Sequence, residues 1–325
     1  MTDHKIFPLL TSVNIETKFR FSYRKHFLFI GSCFSEHMSV RMKDAGFTIC
    51  SNPYGISYNP VSIASQLEDI LQLKSYDTAN FELRDELFTS WAHHGKFKNT
   101  DAARMADSIN SQIQAAYHSL SNNCVLVLSL GTAFVHRLVS NGQIVNNCHK
   151  YPADFFYGSL LKIPEIVDHF ELVITKLLEK WPDIQLIFTV SPVRHLSEGL
   201  QMNQLSKASL LLATNEICSR FSENVSYFPA YELMIDELRD YRFYDDSLTH
   251  PNTTAINYIW NKWLSYLMAD ETKSIINEVE KYNNLKQHKI LFPDTQSAIK
   301  HIAKIQLTYQ QLSEKYPEIK LQDPG

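Results

Sequence analysis

Along most of this chain, apolar runs of strand length alternate with amphipathic stretches of helical period, an order that few folds accommodate. Strands are predicted over 26–31, 47–51, 124–131, 184–191 and 225–230. Helices are predicted over 35–45, 60–73, 101–119, 165–180, 203–221 and 253–268. Strand, helix, strand in repetition predicts a parallel, doubly wound α/β sheet. Local punctuation agrees: Gly46 follows the first helix, Pro60 suits a first helical position, and Asp101 can cap the helix carrying Met105 and Ile109. With 325 residues, 44% of them hydrophobic, the chain can bury a substantial core.

Two segments interrupt the alternation. Phe81–Phe97 is rich in aromatics and histidines, and Phe134–Val145 contains Ser140-Asn141-Gly142-Gln143, a hairpin turn between short strands. Both are candidate rims of a pocket. Beyond about Asp270 the chain is charged and helical, with Ile275, Ile276, Val279 and Tyr282 at helical spacing, then Pro293 and a second helical stretch over Ile299–Tyr316. We therefore divide the chain into an α/β domain over 1–270 and a helical C-terminal appendage over 271–325 that packs on the domain or mediates self-association.

Chemistry concentrates at one junction. The buried-looking run Phe27-Leu28-Phe29-Ile30 ends in Gly31-Ser32-Cys33-Phe34-Ser35 and passes at once into a helix. A strand thus delivers two potential nucleophiles to a helix N-terminus, the edge where open α/β sheets bind ligands. A thiol there is expected to ionise more easily, and the turn's own amides can stabilise an oxyanion. Far along the chain, Tyr244-Asp245-Asp246-Ser247-Leu248-Thr249-His250-Pro251-Asn252 sets acids and a histidine before the last helix of the α/β region. His250 is the natural base, since an imidazole can take a proton from Ser or Cys and return it to a leaving group.

Composition narrows the partners. A net charge of −4 gives no general attraction to nucleic acid or anionic membrane, so neither is expected as a partner. Met1–Lys5 is followed by only a short apolar run broken by Pro8, which lacks the hydrophobic region of a secretory signal and favours a cytoplasmic location. No uninterrupted apolar segment has transmembrane length. Cys33, Cys50, Cys124, Cys148 and Cys218 are widely spaced without CxxC pairs, which argues for reduced thiols over a disulfide framework or a zinc module. Phosphate-loop and dinucleotide-binding glycine patterns are both absent, and no cofactor is expected. Cys33 and His37 at i, i+4, joined by Cys148 or His149, form a weaker metal alternative.

Several ordered motifs resemble the GSCFA-domain family, relatives of the SGNH (GDSL-type) hydrolases: Gly31-Ser32-Cys33-Phe34-Ser35, Asn52–Pro60, Leu130-Gly131-Thr132-Ala133, Asn147-Cys148-His149-Lys150, Ser191-Pro192-Val193-Arg194-His195 and His250-Pro251-Asn252. The resemblance covers most of residues 20–265. It implies a flavodoxin-like, three-layer domain and an active site directed at esters.

Three departures from the SGNH pattern shape the candidate site. Aligned on its glycine, the turn puts Ser32 at the usual Asp position and Cys33 at the nucleophilic Ser, so Cys33 is preferred and Ser32 is a turn-stabilising hydroxyl or the alternative nucleophile. The bland counterpart is a Cys33 that merely fills the core. The Gly-x-Asn block reads Gly131-Thr132-Ala133 without the amide, leaving the Cys33 and Gly55 N–H groups, the Thr132 hydroxyl or a side chain from Asn147–Lys150 as oxyanion donors. The Asp of Asp-x-x-His becomes Ser247, and Asp246 is the expected orienter of His250. His93, His94, His149, Lys150, Arg194 and His195 would add a cationic rim suited to a polar or anionic substrate, with Asn147 beside them. At most one of His93 and His94 would face a given pocket if they lie on a strand.

The expected activity is an acyl-ester hydrolase or acyltransferase acting on a small-molecule or carbohydrate acyl ester, with acyl-CoA as a further candidate donor. A non-catalytic binding or scaffold protein on the same sheet is the alternative, supported by the missing Asn and displaced Asp.

Overall fold

The computed structural model describes residues 11–288 and 291–324. Its central sheet has five parallel strands: β1 (His26–Gly31), β2 (Ile49–Ser51), β5 (Cys124–Leu130), β9 (Gln185–Val190) and β10 (Val225–Tyr227), in the order β10-β9-β5-β1-β2. Strand order reverses between β1 and β5. In a doubly wound sheet that reversal opens a crevice at the carboxyl ends of the two strands. Gly31 lies beside Ser129 in the β1–β5 register, so the candidate turn emerges at the crevice.

Strand composition explains the two helical layers. Along β1, Phe27 and Phe29 point to one face and Leu28 and Ile30 to the other, and every residue of β5 is buried. The first face packs against α1 (Cys33–Asp44), α7 (Thr253–Leu267) and α8 (Asp270–Gln287), through Met38, Met42, Ile259, Trp263 and Ile276. The second packs against α2 (Pro60–Leu71), α3 (Ala102–Ser119), α4 (Ile163–Lys180) and α5 (Gly199–Arg220). Asn59 and Asp101 cap α2 and α3 by accepting from first-turn amides, which fixes where those helices start.

The interruptions are small antiparallel additions. β3 (Glu82–Arg84) pairs with β4 (Leu87–Thr89). β6 (Phe134–Leu138) pairs with β7 (Ile144–Val145) across the expected turn, and also with β8 (Phe156–Leu160). β10 stops at Tyr227, three residues short of the expectation, and a short helix α6 (Ala230–Glu232) follows, running into a π-turn over Leu233–Glu237. Pro229 ends the ladder there because it has no amide to donate.

Helix α8 adds Ile275, Ile276 and Val279 to the cluster that holds Trp260 and Trp263. Helix α9 (Gln296–Lys315) lies on α8 through Tyr282, Ile305 and Leu312. The chain then returns to the far end of α1: the Lys320 amide donates to Gly46 O, the Asn283 side chain to Asp44 O, and the Gln322 amide to the Asp44 carboxylate. No described helix is long and apolar enough to cross a membrane.

Candidate active site

Gly31 leaves the sheet with φ +145°, a conformation open to glycine, and a Cβ there would lie 2.2 Å from the Ser129 carbonyl oxygen. Its N–H donates to Asn52 Oδ1 (3.0 Å) and its carbonyl accepts from the Ser57 amide (2.9 Å), so the turn is held from both sides. Ser32, fully buried, occupies the N-cap of α1 but does not cap it: its hydroxyl turns to Ser129 Oγ (2.9 Å) and its amide to Ser129 O (3.1 Å). Ser32 is therefore placed as a turn-stabilising hydroxyl.

Cys33 follows as the first helical residue, half-buried. The amides of Cys33 and Phe34, first-turn donors that an uncapped helix leaves without a partner, favour its ionised form. Burial nevertheless dominates and pushes the thiol up, against those amides and the Lys207 charge, while Glu36 adds to the rise. The expectation of an easily ionised resting thiol is thus corrected: desolvation outweighs the helix terminus, and a base or a counter-charge is needed to form the thiolate.

The loops after β5 and β9 complete the edge. Gly131 and Thr132 donate their amides to Tyr58 O (2.7 and 3.0 Å), and a Cβ on Gly131 would meet His195 Nε2 at 3.1 Å and Tyr58 at 3.2 Å. His195 packs edge-on to Tyr58, its Nε2 is buried without a partner, and burial holds it down to about 3, so it is a neutral imidazole. Arg194 joins this loop to the histidine loop, its amide donating to Thr249 O (3.0 Å) and its guanidinium to Leu248 O (2.9 Å). His250 is exposed; its Nδ1 lies 2.9 Å from Thr249 Oγ1 and 3.8 Å from Asp245 Oδ2.

Asp245, and not Asp246, is the carboxylate beside His250. Asp245 also accepts from the Ser247 hydroxyl (2.5 Å), and this bond, with the His250 contacts, holds its carboxyl below the usual range. A one-residue step around the turn sends Asp246 outward, exposed and without a bond to the ring.

Other expected donors are already committed. The Gly55 amide closes a turn onto Asn52 O (2.8 Å), and the glycine is required by φ +78° and by His94, whose Cβ would lie 2.3 Å from a Cβ at residue 55. Gly55 is therefore not a free oxyanion donor. Thr132 Oγ1 accepts from the Phe134 amide and bonds Ser206 Oγ (2.9 Å). Asn147 folds onto the His149 amide (2.8 Å), His149 Nε2 donates to Ser90 O (2.7 Å), and Lys150 is exposed with its carbonyl taken by Arg84. His149 sits against Ser90 and Trp91, the backbone at His149 and Lys150 turns with positive φ (51° and 61°), and none of the three makes a hydrogen bond to Cys33 or His250. His93, stacked on Tyr54, is fully buried and likewise outside the site. Among the described residues no three His, Cys, Asp or Glu side chains gather as a metal ligand set.

Sequence reading passes over Lys207. It is fully buried in α5 and donates to Gly131 O (2.6 Å) and Ser191 O (2.7 Å), tying the ends of β5 and β9 together. Burial brings it down to about 7. The signal was its place in the stripe Lys207, Leu210, Thr214, Ile217. A cavity of about 150 Å³ adjoins this edge, lined by Tyr58, Thr132, Cys148, His195 and Asn203. The wider groove, about 640 Å³, runs along α1 between Glu36, Arg41 and Trp260 and is lined by no thiol.

The sequence profile described as the GSCFA family matches residues 26–263. No curated protein matches the chain. Among solved structures, a chain from Streptococcus pneumonia described as a platelet activating factor is similar at 12% identity, covering 75% of this chain and 89% of that one with a TM-score of 0.38. An acetyl xylan esterase from the rumen bacterium Butyrivibrio proteoclasticus is similar at 10% identity, 84% and 66% coverage and a TM-score of 0.37. A carbohydrate esterase is similar at 12% identity, 81% and 68% coverage and 0.34. At such scores these likenesses carry no weight for the chemistry, which rests on the residues themselves.

Proposed function

The chain belongs to the GSCFA family, and on that premise we propose that it is an acyl-ester hydrolase or acyltransferase in which Cys33 attacks the ester carbonyl and His250 moves the proton. The observation that carries the reading is the position of Cys33, first in α1 at the sheet's switch point, with first-turn amides unclaimed by the N-cap. Those amides are the donors we assign to the tetrahedral oxyanion, since Gly55 and Thr132 are committed elsewhere.

In this reading the Cys33 S–H proton passes to Nε2 of His250, whose Nδ1 is engaged with Thr249 and faces Asp245. The sulfur bonds the carbonyl carbon, the alkoxide leaves with the proton from His250, and the resulting thioester is opened by water or a sugar hydroxyl. A polar or carbohydrate ester, or an acyl-CoA donor whose thiolate leaves in place of the alkoxide, is the substrate we assign, with His195 lining the adjoining cavity and Arg194 bridging to the histidine loop. The chemistry belongs to residues 1–270, with α8 and α9 as a brace.

A non-catalytic binding protein is the rival, favoured by one observation: no hydrogen bond joins His250 to Cys33 among the described residues. Short-chain aryl esters and acyl-CoA, offered to wild type, Cys33→Ala, Ser32→Ala and His250→Ala, decide between them. We expect losses of about 100-fold or more for Cys33→Ala and His250→Ala and a much smaller one for Ser32→Ala. Turnover that survives both of the first two changes overturns the mechanism, and a wild type inert toward the whole panel favours the binding protein.

A further inference from the structure

Arg194 carries more hydrogen-bonding capacity than its bridge between loops consumes. A guanidinium has five N–H groups, and here one of them, on Nη1, meets Leu248 O at 2.9 Å. Among the described residues the others have no acceptor and no carboxylate lies within 4 Å of them. The acids of the neighbouring loop are engaged elsewhere: Asp240 faces Arg242 (3.6 Å), and Asp245 faces the Ser247 hydroxyl (2.5 Å) and His250 (3.8 Å). The guanidinium is nonetheless fixed in place. It stands over the rings of Tyr244 (5.6 Å) and Tyr241 (5.9 Å), whose centroids are 6.2 Å apart, and the Arg194 backbone amide is pinned to Thr249 O (3.0 Å). Leu248 offers its carbonyl from the left-handed region (φ +56°), a strained conformation that persists only where the surroundings impose it. Thr249 Oγ1 is also the partner of His250 Nδ1 (2.9 Å), so the held cation borders the proposed base, and Tyr241, 64% exposed, leaves the platform open to solvent.

A link between two loops does not account for this arrangement. An amide side chain would serve one carbonyl, whereas a guanidinium held on an aromatic platform with most of its fork unused matches the oxygens of a phosphate or a carboxylate. We propose that Arg194 is a binding residue for an oxyanion on the substrate, a phosphate or carboxylate carried close to the ester that His250 serves. The inference rests on the reading of this edge as the site of ester chemistry, and it narrows the substrate class from polar esters in general to esters of acidic molecules. A neutral sugar ester would leave the fork unused. The phosphates of an acyl-CoA donor and the carboxylate of an acidic sugar share the required chemistry, and the two sources differ in the shape and charge they present to the fork.

The test uses alcohols in place of esters, so it needs no turnover and its failure is separate from that of the proposed reaction. Glycerol 3-phosphate, glycerate and glycerol share one carbon frame and differ in carrying a phosphate, a carboxylate or neither. Isothermal titration calorimetry of the full chain at low salt should give at least one of the two anions a Kd about tenfold or more below that of glycerol, and the tighter one identifies the source. The ring resonance of His250, assigned by its loss in His250→Ala, should move when that anion is added, which places the anion at this edge. Arg194→Gln keeps a donor for Leu248 O but removes the charge and should erase the preference, while Arg194→Lys, a point charge without the fork, should keep part of it. A residue that only bridged the loops would leave Arg194→Gln binding as the wild type does. Equal affinities for the three alcohols, no binding by any of them, a His250 resonance indifferent to the bound anion, or an anion preference that survives Arg194→Gln overturns the proposal, and the wild-type comparison stands even if Arg194→Gln does not fold.

Discussion

Replacing Gly31 by alanine should be among the most damaging single-methyl changes this fold can receive. The added Cβ would sit 2.2 Å from Ser129 O and 2.9 Å from Ser129 C, all backbone of the neighbouring strand, at φ +145°. Backbone strain at such a φ costs about 1–3 kcal/mol, and forcing a methyl into rigid surroundings costs about 1–3 kcal/mol more. Relief by shifting the turn would lengthen the bonds from Gly31 N–H to Asn52 and from Ser57 to Gly31 O, at about 1 kcal/mol each. The sum, about 4–8 kcal/mol, is a large part of the ~5–15 kcal/mol that holds a domain folded. Gly199→Ala is the matched control, since Gly199 also has positive φ (+84°) but nothing within 4 Å of its Cβ position. It should cost about 1 kcal/mol or less, because the less flexible unfolded chain offsets part of the strain. Urea unfolding followed by circular dichroism compares the two. If Gly31→Ala falls within about 1 kcal/mol of Gly199→Ala, the close approach of β1 to β5 described here is wrong.

Two further outcomes follow from the site. Lys207 is held near 7 against 10.5 for a free lysine; from pH 7 to 9 the unfolded chain carries the proton that the folded chain lacks, so stability rises with pH by about 1.4 kcal/mol per unit. Equilibrium unfolding of wild type minus Lys207→Met isolates that slope, and parallel pH profiles for the two would refute it. Asp245→Asn should lower any His250-dependent turnover several-fold while Asp246→Asn leaves it unchanged, with kcat measured for both; the opposite ranking would reinstate Asp246.

Strands β1, β5 and β9 were legible because each is a buried apolar run long enough to show, the three-residue β2 and β10 because they fall between helical stretches, and the helices of the α/β region because one stripe of each faces that sheet. Sites were legible less evenly. Cys33 stood out by sitting at a strand-to-helix turn, a property of order along the chain. Gly55 and Asp246 were misjudged because hydrogen-bond direction in a tight turn changes completely over one residue, which no spacing rule encodes. Lys207 was passed over for another reason: a lysine in an apolar stripe ordinarily leads its amine out to water, so its place in that stripe did not show that α5 aims this one at the ends of β5 and β9.

Helix α1, twelve residues and about 18 Å long, carries Cys33 at one end and is clasped at the other by Asn283, Lys320 and Gln322. Asn283, Lys320 and Gln322 all lie far downstream of Cys33, so during synthesis the helix that carries the thiol is made long before the groups that hold its far end, and a ribosome that stalls before residue 283 leaves that end unheld.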